Sequence, residues 1–155
     1  MPARSHPVAT VGYQGTTVPQ LLDTLRDARV ALLVDVRAVT SSRRPGFSKS
    51  QLAAALADVG IDYLHLRALG TPADGRAAVR AGRPQAMHAI YREHLTTRAA
   101  QDELATLAEL VRGGRRVCLL CYEADPTHCH RTLVAEAVGR RLPVRVTHLH
   151  PGTAE

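Results

Sequence analysis

The chain has no tryptophan and a single phenylalanine, Phe47, beside four tyrosines. So few rings leave little for a base-stacking platform, which weighs against recognition of single strands by stacking. Lysine is almost missing too. Of the 20 basic residues only Lys49 is a lysine, and the rest are arginines scattered among many alanines. A GC-rich genome produces such usage, with arginine standing where other chains place lysine. The net charge of +6 is spread along the chain and not massed in one tail. Nucleic acid is therefore an alternative partner and not the favoured one. No apolar run approaches membrane-spanning length, and the opening M-P-A-R-S-H-P lacks a signal-peptide core. The expectation is a cytoplasmic protein with no membrane partner. Cysteine is sparse, at three residues. Three thiols cannot all pair with one another, and in a cytoplasmic protein they are expected reduced, as packing, metal-binding or reactive groups.

What is present suits one folded unit. At 155 residues, 45% hydrophobic and 22% charged, the chain can bury a core without staples. No repeat or linker divides it, so a single domain over 1–155 is expected, with a core of about 8–148 and short frayed ends. The runs Val8–Tyr13, Val30–Val36, Ile61–Leu66, Val117–Tyr122 and Val144–His148 read as strands. Val30–Val36 is nearly all apolar, as for a strand buried on both faces of a parallel sheet.

Helical signals lie between these strands. Thr16 or Thr17 can cap a helix with Pro19 in its first turn and Leu21 and Leu25 on one face. Ser48 and Gln51 have capping-box spacing before Leu52 and Leu56. Residues 67–84 form a Gly-, Ala- and Arg-rich excursion, mobile or partly helical. Further helices are expected around Met87–Leu95, after Thr97, and from Asp125-Pro126 through about Arg140. Strands alternating with helices predict an α/β fold: a three-layer α/β/α domain with a mostly parallel sheet of about five strands.

Right-handed crossovers put every strand's carboxyl end on one edge, where ligands bind in such folds. That edge collects Tyr13, Asp35, Arg37, Arg43, His65, Cys121 and Glu123, then Asp125, His128, Cys129, His130 and Arg131. The stretch Val117–Arg131 alone holds all three cysteines. Cys118 and Cys121 imitate half of a zinc knuckle. In an extended strand, however, residues three apart point to opposite faces, so Cys118 reads as a core thiol. Cys121 and Cys129 remain open as nucleophiles, as a redox pair, as structural thiols, or as metal ligands with a histidine. Cys129 is placed in the first turns of a helix, where the dipole would favour a thiolate. Asp125 reads as a helix cap, which leaves Glu123 for acid/base work and His130 as a further acid/base candidate. Arg37, Arg43 and Arg131 either converge on an anion or pair with Asp35, Glu123 and Asp125.

The pieces T-V-G-Y (10–13), V-D-V-R (34–37), S-R-R-P-G-F-S (42–48), I-D-Y-L-H-L-R-A-L-G (61–70), L-L-C-Y-E (119–123) and C-H-R (129–131) resemble the bacterial and archaeal family known as domain of unknown function 488. The resemblance runs from about Val8 to Val138 and implies a shared fold and motif set, with no agreed reaction. At the level of fold alone, the apolar strand ending in Cys121 and the helix carrying Arg131 are similar to the plan of rhodaneses and cysteine phosphatases. The loop here departs from that plan: it lacks glycine and carries two acids. The leading expectation is an enzyme for a small anionic or phosphate-bearing substrate. Its catalytic candidates are Cys121, Glu123, Cys129 and His130, and its ligand-binding candidates are Tyr13, Asp35, Arg37, Arg43 and Arg131. The alternatives are a nucleic-acid-associated module and a metal- or redox-responsive site. No cofactor is implied, and the oligomeric state is not encoded in any motif.

Overall fold

A computed structural model describes residues 5–152; the outermost ends, expected to be frayed, lie outside the described residues. The strands are β1 (His6–Gly12), β2 (Leu32–Asp35), β3 (Asp62–His65), β4 (Val117–Cys121) and β5 (Val144–Leu149). The helices are α1 (Val18–Asp27), α2 (Lys49–Asp58), α3 (Ala73–Arg80), α4 (Pro84–His94), α5 (Arg98–Arg112) and α6 (Arg131–Gly139). The sheet runs β3-β2-β4-β1-β5, and every neighbouring pair is parallel. The expected α/β class is the observed one.

Two apolar clusters lie on opposite faces of this sheet. One joins Leu21 and Leu25 of α1 and Leu52 and Leu56 of α2 to Leu33, Cys118 and Leu120. The other joins Met87 and Tyr91 of α4, Leu104 and Leu107 of α5 and Leu133 and Val134 of α6 to Val34, Leu119 and Cys121. The period-two alternation of β4 therefore sends Cys118 and Cys121 to different faces, as their spacing requires. Among the described residues no helix is long and apolar enough to cross a membrane.

Side-chain caps explain two of the helix starts. Thr17 caps α1 in a full capping box with Gln20, and Pro19 sits in the first turn. Thr97 caps α5 by accepting from the Ala100 amide. Ser48 precedes α2 but makes no cap hydrogen bond. Its hydroxyl instead accepts from the Ser42 amide at 3.0 Å and so ties down the 37–47 loop. The excursion at 67–84 is ordered as a 3-10 turn, Arg67–Leu69, followed by α3.

One expected helix is broken. Asp125-Pro126 opens only the 3-10 turn Pro126–His128, with the Asp125 carboxylate accepting from the Thr127 amide at 2.9 Å. Cys129 is then extended, at φ −124° and ψ 145°, and α6 begins at Arg131 with His130 as its N-cap. Cys129 thus lies before the helix and not within its first turn. The break turns the His130 ring into the interior, where it meets the Val36 carbonyl.

Candidate functional site

The carboxyl ends of β2, β4 and β1 lie side by side, because β4 is inserted between the other two. Asp35 ends β2 and is fully buried. Both of its oxygens are engaged. Oδ1 accepts from the Arg37 amide at 3.0 Å and from Arg37 Nε at 2.9 Å, and Oδ2 accepts from Arg37 Nη2 at 2.7 Å and from the Tyr63 hydroxyl at 2.5 Å. This is the two-pronged arginine–carboxylate geometry, the strongest form of such a pair. Arg37 Nη1 reaches on to the Tyr13 hydroxyl at 3.2 Å and the Phe47 carbonyl at 2.8 Å. Tyr13 in turn stacks on Phe47. One arginine therefore joins β1, β2 and the 37–47 loop. Burial alone would weaken its charge, but the Asp35 carboxylate more than offsets that and holds the guanidinium above its usual range. Burial and Asp35 also push the Tyr63 hydroxyl up, so it remains a donor.

Arg131, at the start of α6, is wholly buried beneath the ends of β1 and β4. Its Nε donates to Thr10 Oγ1 at 3.1 Å, and its terminal nitrogens donate to the carbonyls of Glu123 at 2.5 Å and Ala124 at 3.2 Å. Nη1 also lies 3.2 Å from Cys121 Sγ. Among the described residues it forms no ion pair with a carboxylate. Burial accordingly lowers its pKa. Gly12 makes this close fit possible, because a Cβ there would stand 1.8 Å from the Glu123 carbonyl oxygen. The Glu123 carboxyl is within 3.7 Å of Cys121 Sγ, and burial raises its pKa.

Cys121 and Cys129 meet sulfur to sulfur, their Cα atoms 7.2 Å apart, a wider span than disulfides bridge. His130 completes the group. Its Nε2 lies 2.5 Å from the Val36 carbonyl, which can only accept, so Nε2 carries the proton. The lone pair of Nδ1 then faces Cys129 Sγ at 3.8 Å. Burial pushes the His130 pKa down to about 4, so the ring stays neutral. Cys118 is free and buried on the other face, and burial pushes its thiol far up.

Above this floor opens a cavity of about 720 Å³ between the β4–α6 loop and the α3–α4 hairpin. A smaller one of about 110 Å³ adjoins it and reaches Cys121, Arg37 and Tyr13. Thr71, Arg76, Tyr122, Glu123 and His130 line both. The structure thus brings together Tyr13, Asp35, Arg37, Cys121, Glu123, Cys129, His130 and Arg131. It leaves Arg43 exposed on the loop, making no ion pair among the described residues. The three anticipated arginines do not share one anion-sized opening: Arg37 and Arg131 are turned into protein partners. The arginines that face the large cavity are Arg76 and Arg80 of α3. Their i, i+4 spacing in A-D-G-R-A-A-V-R was the available signal, hidden in a stretch without clear apolar periodicity.

A family model described as Domain of unknown function DUF488 matches residues 17–138. No curated protein matches the chain, and no solved structure does.

Proposed function

We propose, for a chain that belongs to the DUF488 family, that the double cavity is the active site of an enzyme acting on a small anionic or phosphate-bearing substrate. One observation carries the reading. Arg76 and Glu123 line both cavities, and among the described residues neither is in an ion pair. Structural arginines and acids normally neutralise each other, as Arg37 and Asp35 do here. Arg76 is anchored by one bond from Nη1 to the Thr71 carbonyl at 2.8 Å, and its other donors are free for an anion. Glu123, on the β4 side, serves as the proton-transfer group. Tyr13 and Arg37 are wall and positioning residues.

Calorimetric titration with inorganic phosphate tests this. Saturable binding is expected, weakened by about tenfold or more in Arg76→Ala, as for loss of a charge-assisted contact. Glu123→Gln, which removes a negative charge, should bind phosphate at least as well as the parent. No saturable binding, or equal binding by Arg76→Ala, ends the reading.

The facing sulfurs of Cys121 and Cys129 support a second reading, thiol–disulfide exchange. Cys121 thiolate attacks a substrate disulfide and releases one thiolate. Cys129 thiolate then displaces the other substrate sulfur, leaving the Cys121–Cys129 disulfide and two reduced substrate thiols. Incubation of the reduced protein with oxidised glutathione should leave an intramolecular disulfide mapped to those two cysteines. A stable glutathione adduct, or no reaction, excludes it.

A further inference from the structure

The floor of the cavity carries a different chemistry when its thiols are reduced. Cys121 Sγ, Cys129 Sγ and a ring nitrogen of His130 lie within 4.8 Å of one another, and all three residues are buried. We propose that the reduced pair and His130 Nδ1 form a three-ligand zinc site whose fourth position opens to the cavity.

Four features converge on this. The first is the ligand set: two sulfurs and one imidazole suit zinc, and suit magnesium or calcium poorly. The second is the span between the cysteines. Disulfides join Cα atoms about 4.4–6.8 Å apart, whereas these stand at 7.2 Å. Two thiolates held by one ion keep their sulfurs roughly 3–4 Å apart, given zinc–sulfur bonds near 2.3 Å, and so suit a wider span.

The third feature is the orientation of His130. Its Nε2–H is spent on the Val36 carbonyl, which fixes the tautomer and aims the Nδ1 lone pair at the sulfurs. That arrangement is the usual support of a metal-bound histidine. The fourth is Arg131, a buried guanidinium whose Nη1 lies 3.2 Å from Cys121 Sγ with no carboxylate in ion-pair contact. A thiolate accepts that donor far better than a disulfide sulfur does.

Cys121 and His130 line the smaller cavity, and Cys129 is not part of that lining. An ion on the three ligands would have this cavity, which Glu123 and Tyr122 also line, for its fourth position, as catalytic and not closed structural sites do. The proposal concerns Cys121, Cys129 and His130 alone. It holds whether or not phosphate binds above them.

The test is a titration of reduced, metal-free protein, kept in a phosphine reductant without phosphate, with Co²⁺ as a spectroscopic stand-in. One equivalent should produce thiolate-to-cobalt charge-transfer absorption and strong tetrahedral visible bands, and Zn²⁺ should abolish both. In the same protein, bound zinc should protect Cys121 and Cys129 from iodoacetamide, as read by peptide mapping. Cys129→Ser and His130→Gln should each weaken binding by about tenfold or more, while Cys118→Ser leaves it unaltered. Absence of thiolate bands in the parent protein overturns the proposal. So does zinc binding that neither protects the two cysteines nor weakens in the variants. The spectra and the protection need no variant, so a variant that fails to fold leaves the answer intact.

Discussion

Arg131 and Cys121 are in contact, Nη1 to Sγ, at 3.2 Å beneath the junction of β1 and β4. The guanidinium is fully buried and is held by two carbonyls, one hydroxyl and this sulfur. Replacing it by methionine keeps the volume but strands those acceptors. Arg131→Met should therefore cost about 3 kcal/mol or more, at about 1–3 kcal/mol for each buried group left without a partner. Denaturant unfolding reads the loss. In reduced protein at neutral pH, the thiol of Cys121 should also react more slowly with an alkylator than in the parent, because the cation that favours its thiolate is gone. Faster alkylation in a variant shown to be folded would contradict this role.

The Asp35–Arg37 pair predicts a graded pair of effects. Asp35→Asn leaves a buried guanidinium without its counter-charge and should destabilise by about 3–5 kcal/mol. Tyr63→Phe removes one of the four bonds to the same carboxylate and should cost only about 0.5–1.5 kcal/mol. Equal losses from the two substitutions would show that the pair is not the centre of the network.

Gly12 is a third point of leverage. A methyl group there would overlap the Glu123 carbonyl, so Gly12→Ala must push the β4–α6 loop away from β1. Overpacking of this kind costs about 1–3 kcal/mol. Parental stability on denaturant unfolding would refute the tight approach.

His130 predicts a pH dependence in the metal-free protein. Its pKa in the folded state is pushed down to about 4 by burial, against about 6.5 for a free histidine. Above about pH 6.5 both folded and unfolded chains hold it neutral, and it contributes no slope. As pH falls from there toward 4, the unfolded chain takes up a proton that the folded protein refuses. Stability therefore decreases with acidity over that window, by on the order of 3 kcal/mol in all. His130→Gln should flatten this part of the stability curve. An unchanged slope in the variant would assign it to another group.

The one-dimensional pattern determined a good deal. Apolar runs of strand length alternating with capped helical segments specify a parallel α/β sheet, because each strand must be covered on both faces. The period of two alone separates Cys118 from Cys121. The position of Asp35 and Arg37 just at a strand end put them on the ligand-binding edge. Polar pattern could not say which of those edge residues would be consumed by one another. Arg37 is bound to Asp35, Tyr13 and Phe47, and Arg43 faces solvent, although both looked alike as candidates.

Only the tertiary structure decided what meets across the sheet. Insertion of β4 between β1 and β2 brings Asp35 and Cys121 to one edge. The break after His128 swings Cys129 and His130 back toward them, and packing of α3 against α4 carries Arg76 over the top. Periodicity tells each residue which face to bury, since that depends only on its own strand or helix. Strand order and loop reach depend on how all the buried faces are satisfied at once, and so they emerge only when the whole chain is packed.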